Sequence, residues 1–220
     1  MKKAGVIDLG LKAYGEAYKI QMQHLEKRIN GKIRDTLLLV EHPPVITIGR
    51  GGTEQHLLMN KELLKQKGIS LYETNRGGDI TYHGPGQLVG YPIFDLKEHG
   101  RDLHQAVRNY EESIIRTLAE FDIKAGRIKE LTGVWVGDEK VAAIGVGVRK
   151  WVTFHGFALN VNNDLTPFSY IIPCGIRDKG VTSMKKLLGQ EVDMQRVKQK
   201  IVEKFGEVFN LNFNELPVIK

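Results

Sequence analysis

Cys174 is the one cysteine among 220 residues, and it stands between Pro173 and Gly175. A helix core would not choose those neighbours, since proline and glycine both disfavour helix. The thiol is therefore expected on a loop, where it is a candidate nucleophile; the competing reading is a small buried hydrophobe. A single cysteine cannot close an intramolecular disulfide, which points to a reducing compartment or at least to no disulfide framework. A free thiol has a pKa of ~8.5, so only a few per cent is thiolate at neutral pH. An ammonium ~4 Å away at an effective dielectric of ~20 would attract the thiolate by at most ~4 kcal/mol, roughly three pKa units. Lys140 is the best candidate for that partner. It follows a tight turn and precedes the small apolar run 141–145, so it can reach into a pocket; the alternative is a turn lysine facing water.

A second constellation is Arg76-Gly77-Gly78-Asp79-Ile80-Thr81-Tyr82-His83-Gly84-Pro85-Gly86-Gln87. A β-forming core, 79–82, lies between two glycine clusters. Glycine lets a ligand lie against the main chain, and Gly84-Pro85-Gly86 fixes a turn. Arg76 and His83 flank the core as a charge and a switchable donor. Backbone N–H groups there could hold a ligand's polar end, although a bulged hairpin without a ligand has the same signature. A third cluster is His155-Gly156-Phe157-Ala158-Leu159-Asn160, where Gly156 and Ala158 leave the backbone open and Asn160 could orient a polar group or cap a strand end. Gly145, Gly147 and Ala158 are small enough to floor a tunnel.

These residues need a scaffold. Strands are expected over 6–9, 36–40, 45–48, 69–73, 79–82, 87–94, 134–136, 140–148 and 151–161, from β-branched content and turn signals. Helices are expected over 11–29, 60–67, 102–121 and 193–209 from 3.6-residue periodicity, with Asp102 as an N-cap. Gly137-Asp138-Glu139 and Arg149-Lys150 read as hairpin turns. The order lacks the alternation of a doubly wound fold. It predicts an α+β single domain, 1–220, with a mixed, largely antiparallel sheet flanked by helices; a piece from 174 to 220 could pack as a sub-lobe.

Hydrophobic content of 41% and charged content of 26% fit a soluble globular protein. No apolar run approaches the ~20 residues that span a bilayer, and no signal or transit peptide is read at the N-terminus, so cytoplasm is the expected location. The net charge of +6 permits steering of an acidic protein. The basic residues are spread along the chain without the stripe expected of a nucleic-acid binder, so neither nucleic acid nor membrane is an expected partner. The histidines, at 24, 42, 56, 83, 99, 104 and 155, form no helical His-x-x-x-His pair, and one cysteine builds no thiolate cage; no metal is expected. There is no phosphate loop of the Gly-x-x-x-x-Gly-Lys-Ser/Thr type. Gly145-Val146-Gly147 sits in a hairpin pattern, not before a helix, which argues against a dinucleotide fingerprint.

Taken together, Leu39-Val40-Glu41-His42-Pro43-Pro44-Val45, Arg76-Gly77-Gly78, Thr81-Tyr82-His83-Gly84-Pro85-Gly86-Gln87-Leu88, the run 137–145 around Lys140, His155-Gly156-Phe157-Ala158-Leu159-Asn160-Val161 and Pro173-Cys174-Gly175 resemble the octanoyltransferases of lipoate synthesis. The match spans 36–184, in the family's order. Asp79 stands where many members carry glutamine. The resemblance implies a fold similar to the catalytic core of biotin- and lipoate-protein ligases. It implies transfer of an octanoyl group from acyl carrier protein to a lysine of lipoyl domains, such as those of 2-oxoacid dehydrogenase E2 subunits and the glycine cleavage H protein. It implies no cofactor and, as the expected state, a monomer. Cys174 would be the acyl-accepting nucleophile and Lys140 the residue that tunes it. Arg76, Gly77, Gly78, Asp79, Ile80, Thr81, Tyr82, His83, Ala143, Ile144, Gly145, Gly156, Phe157 and Ala158 would hold the acyl group. The rival readings are an ATP-dependent lipoate-protein ligase and a non-catalytic basic binding domain. Such ligases resemble a pattern with three consecutive glycines, where this chain has Gly77-Gly78.

Overall fold

The computed structural model describes residues 1–172 and 179–213. The chain opens with β1 (Lys2–Leu11), which runs on to Leu11 where helix was expected, so α1 (Tyr14–Ile29) begins three residues later than its periodicity suggests. Then come β2 (Thr36–Glu41), β3 (Val45–Ile48), α2 (Lys61–Gln66), β4 (Ser70–Glu73), β5 (Ile80–His83) and β6 (Gln87–Ile93). The second half holds α3 (Leu103–Ala119), β7 (Gly126–Ile128), β8 (Leu131–Val136), β9 (Glu139–Arg149), β10 (Val152–Asn160), β11 (Gly180–Val181), α4 (Met184–Leu188), α5 (Met194–Phe209) and β12 (Leu211–Phe213). Short polar side chains set several helix starts: Asn60, Asp102, Ser183 and Asp193 each accept a hydrogen bond from an otherwise orphaned first-turn N–H.

Among the described residues, a nine-stranded sheet has the order β12-β1-β2-β6-β10-β9-β8-β7, with β11 also beside β9. Its centre is antiparallel, and β1 pairs in parallel with both β2 and β12. β6 and β10 are buried at every residue, which their near-continuous apolar runs anticipate. A small sheet, β4-β3-β5, stands apart from it.

One face of the large sheet packs on α3 and α5, with Tyr110, Ile114, Val197, Ile201 and Phe205 in its core. The other face carries Leu38, Val89, Tyr91 and Ala158 against Ala17 and Leu25 of α1. The small sheet and α2 share a third core around Ile46, Leu64 and Ile80. α5 thus belongs to the main core, and β12 extends the main sheet. The described residues beyond position 178 form no separate sub-lobe, because the apolar stripe of α5 is buried against α3 and the sheet.

Two turns bear on the site. Lys150 and Trp151 both have positive φ (50° and 69°), the backbone of a type I′ turn between β9 and β10, one residue later than expected. In 84–87, Gln87 N–H donates to the Gly84 carbonyl at 3.1 Å and Gly86 has φ 83°. That is a type II turn, with proline and glycine at its two central positions. Glu41 Oε2 accepts from Gly86 N–H at 2.9 Å and ties the turn to β2.

Candidate active site

The small sheet and the loop before β5 face β9 and β10 across a cavity with about 550 Å³ of atom-free space, its open mouth included. β9 and β10 pair with Gly145 opposite Gly156 and Ala143 opposite Ala158. Ala143 and Ala158 keep the cavity wall low, while Gly145 and Gly156 let the Gly77 and Gly90 carbonyls approach the two strands closely. The walls add Ile144 and Phe157 from the same strands, Ile80, Thr81 and His83 from β5, and Arg76, Gly78 and Asp79 from the loop before it. A smaller adjoining chamber, about 330 Å³, shares Thr81, Lys140, Ala143 and Ala158 with the first and adds Gln87, Asn160, Phe168 and Val181.

Most of the expected acyl-binding residues thus meet in one cavity. Two do not line it. Gly77 forms a backbone bridge, its N–H donating to the Val146 carbonyl at 3.0 Å. Tyr82 alternates to the opposite face of β5, where it packs edge-on against Phe168. Gly147 does not floor the cavity either: a side chain there would run into Phe154, its neighbour across the pair. The sequence reading missed Tyr14, Val89 and Tyr91 as wall residues, and His155 was named only as part of a motif.

Arg76 is held against β3. Its Nη2 donates to the Thr47 carbonyl at 2.7 Å and to Thr47 Oγ1 at 3.0 Å, and its Nη1 to the Gly77 carbonyl at 3.1 Å. This fixes a buried positive charge beside the cavity. Burial first, and the Arg76 charge among the further causes, lower the pKa of His83 to about 3; the same two lower His155 to about 3. Burial alone lowers His42 to about 4 against a small opposing effect of its bond to the Lys12 carbonyl. All three rings are therefore neutral at physiological pH. His155 also has φ 55° inside a strand, and its N–H donates to Gln21 Oε1 at 2.9 Å. Such a backbone in a β10 that lines a cavity is the kind of strain that clusters at ligand sites.

Lys140 lies where the two chambers meet. Its Nζ sits 4.7 Å from the centre of the Trp135 ring. Gly133, on β8, leaves room for its stem: a Cβ there would come within 3.2 Å of Lys140 Cε. The Lys140 carbonyl accepts from Thr182 N–H at 3.0 Å, and β11 runs parallel to the start of β9 with Val181 opposite Lys140. On the other side, Ile172 N–H donates to the His56 carbonyl at 2.8 Å. Both flanks of the segment 173–178 are thereby anchored. Cys174 lies within that segment, outside the described residues.

A chain-long fold likeness accompanies this geometry. A bi-partite lipoate protein ligase from Thermoplasma acidophilum superposes over 98% of this chain and 87% of its own, with a TM-score of 0.74 at 18% identity. The biotin protein ligase from Aquifex aeolicus does so over 96% and 70%, with a TM-score of 0.53 at 16% identity. The architecture is that of the lipoate- and biotin-ligase catalytic core. Residues 13–206 match the lipoyl protein ligase A/B catalytic domain, and the chain belongs to that family. Relatives named octanoyltransferase include those of Caldicellulosiruptor saccharolyticus, 50% identical over 96% of this chain and 91% of theirs, and Thermoanaerobacter pseudethanolicus, 50% identical over 98% and 94%.

Proposed function

We propose that this protein is an octanoyltransferase acting in protein lipoylation, and that it works through an acyl-thioester on Cys174. The observation that carries the reading is the mostly apolar cavity lined by Lys140, with the flanks of the Cys174 segment fastened at Ile172 and Thr182. The relatives' shared name at about half identity supports the chemistry.

In the first half-reaction the Cys174 thiolate attacks the octanoyl thioester of acyl carrier protein, and the carrier's thiol leaves. Thioester replaces thioester, so the step is close to balanced in energy. Lys140 favours the thiolate by its charge. In the second half-reaction a lysine amine of a lipoyl domain attacks the acyl-enzyme, forming an amide and releasing the Cys174 thiolate. That amine has a pKa of ~10.4 and must lose its proton to react. Lys140 in its neutral form, or the departing thiolate, takes it. Backbone N–H groups other than those of Gly77 and Gly86, which are bonded to Val146 and Glu41, would hold the tetrahedral oxyanion, a role worth roughly 3–4 kcal/mol for each donor. The net charge of +6 favours approach of acidic carrier and lipoyl domains.

The test is intact mass after incubation with octanoyl-acyl carrier protein, without ATP. Wild type should gain one hydroxylamine-sensitive octanoyl group, and Cys174→Ala none. Loading that appears only with free octanoate and ATP would make the protein a ligase. Loading under neither condition would leave a binding domain.

A further inference from the structure

The polar groups at the inner end of the cavity turn their hydrogens away from it. His83 is the clearest case. Gln87 Nε2 donates to the Tyr82 carbonyl at 3.1 Å and to Asn160 Oδ1 at 2.9 Å. Gln87 Oε1 is therefore an acceptor, and its 2.7 Å contact with His83 Nδ1 requires an Nδ1–H donor. The neutral ring then carries its lone pair on Nε2, on a side chain that lines the cavity. His155 repeats the pattern: Nε2–H donates to Asn75 Oδ1 at 2.8 Å, which leaves Nδ1 as the acceptor. The Tyr14 hydroxyl donates to Thr74 Oγ1 at 3.0 Å. His42 commits Nδ1–H to the Lys12 carbonyl at 2.7 Å, so its Nε2 takes the Tyr91 hydroxyl hydrogen at 2.7 Å.

Among the described residues no hydrogen bond reaches His83 Nε2 or His155 Nδ1, so this end of the cavity presents acceptors. A saturated methyl end leaves those lone pairs unpaired unless water stays with them, and an unpaired buried acceptor is unfavourable. A hydroxyl satisfies one. An ω-ammonium would meet the Arg76 charge, and an ω-carboxylate would meet the lone pairs. His83 shares this end of the cavity with Tyr14, whose ring stacks on it at 6.2 Å, and Tyr14 bonds Thr74, which lies 3.5 Å from His155 Nε2.

We infer that the cavity accepts acyl chains carrying a hydrogen-bond donor at the far end, ω-hydroxyacyl groups being the simplest, and that His83 Nε2 is the acceptor that reads it. The inference rests on octanoyl transfer in this same cavity, and it extends the substrate class beyond the saturated chain.

The experiment offers the full-length protein octanoyl-, 8-hydroxyoctanoyl- and 8-methoxyoctanoyl-acyl carrier protein in competition and reads the adducts by intact mass. The methoxy chain has the oxygen without the donor. Wild type should load the hydroxyacyl chain about fivefold better than the methoxyacyl chain, the worth of one neutral hydrogen bond. His83→Phe keeps an aromatic ring without the acceptor and should remove that preference. His83→Gln keeps an acceptor and should restore most of it. A wild type that loads octanoyl but shows no preference for hydroxyl over methoxy overturns the inference and leaves octanoyl transfer standing. So does a preference that persists in a folded His83→Phe. If His83→Phe does not fold, the wild-type preference decides alone. Loading of none of the three chains overturns the transferase reading and this inference with it.

Discussion

Replacing Gly145 by alanine tests whether the cavity depends on close backbone approach. An ideal Cβ at Gly145 would stand 2.7 Å from the Gly77 carbonyl oxygen and 3.3 Å from Arg76 Cδ. The carbonyl is not free to move. The Gly77 N–H is bonded to the Val146 carbonyl at 3.0 Å, and the Gly77 oxygen accepts from Arg76 Nη1 at 3.1 Å. Arg76 is in turn fixed on Thr47. Relief must come from moving β9 away from 76–78, an overpacking strain of about 1–3 kcal/mol. For a chain of this size that lowers Tm by about 2–12 °C. Octanoyl loading should slow at least about tenfold, because the wall of the acyl cavity shifts relative to Lys140. The control is Gly126→Ala on β7, where no atom lies within 4 Å of the new Cβ and φ is not positive. Its melting point should stay level or rise slightly, as a methyl that restricts only the unfolded chain predicts. Thermal melts read by circular dichroism, with loading read by intact mass, decide the matter. Equal melting points for the two variants would refute the argument from close approach.

Three further outcomes follow from the same structure. Glu111 is fully buried, accepting from Gly133 N–H at 3.0 Å and from Arg108 and Arg127 at 2.7 and 3.0 Å. Glu111→Ala should cost about 3 kcal/mol in urea unfolding, the lower end for a broken buried pair because both arginines can rehydrate; an unchanged midpoint would mean the Gly133 amide is satisfied elsewhere. Stability should also fall in acid. The unfolded chain protonates His42, His83 and His155 near pH 6.5, while the folded protein does so only at about 4, 3 and 3, so their contribution is full above pH 6.5 and is lost as pH falls towards the folded values. Between pH 7.5 and 5.5 the loss is roughly 1 kcal/mol for each histidine, about 3–4 kcal/mol together, and a flat unfolding free energy over that range would contradict it. Lys198, 3% exposed, pairs with Asp8 at 2.9 Å and lies 3.8 Å from Glu41, whose other oxygen holds Gly86 N–H. Lys198→Met should destabilise by about 3 kcal/mol and speed amide exchange at Gly86, and Lys198→Arg should recover most of both.

What the sequence disclosed depended on how far apart the interacting partners lie. Strands and helices defined by local periodicity, such as β9, β10, α3 and α5, were legible to within a few residues, and Asp102 was readable as a cap because its bond is three residues away. The parallel pairing of β1 with β2 and β12 was not, since nothing near residue 5 encodes a partner at 36 or 211. The glycines of β9 make the same point inside the site. Gly145 and Gly147 share a strand face by their spacing, and from sequence they are equivalent. The register and the packing then bring the Gly77 carbonyl against Gly145, while Gly147 lies opposite Phe154, whose ring covers it. Tyr14 reaches the cavity from the first helix, and only the packing of α1 across the sheet brings it beside His83, with the rings stacked at 6.2 Å. The motifs therefore announced which segments converge, while the depth of the cavity and the direction of its hydrogen bonds came from residues that no local pattern marks. His83 shows the limit most clearly: its presence was legible, but the tautomer that turns its lone pair inward is set by Gln87, Asn160 and Tyr82 together.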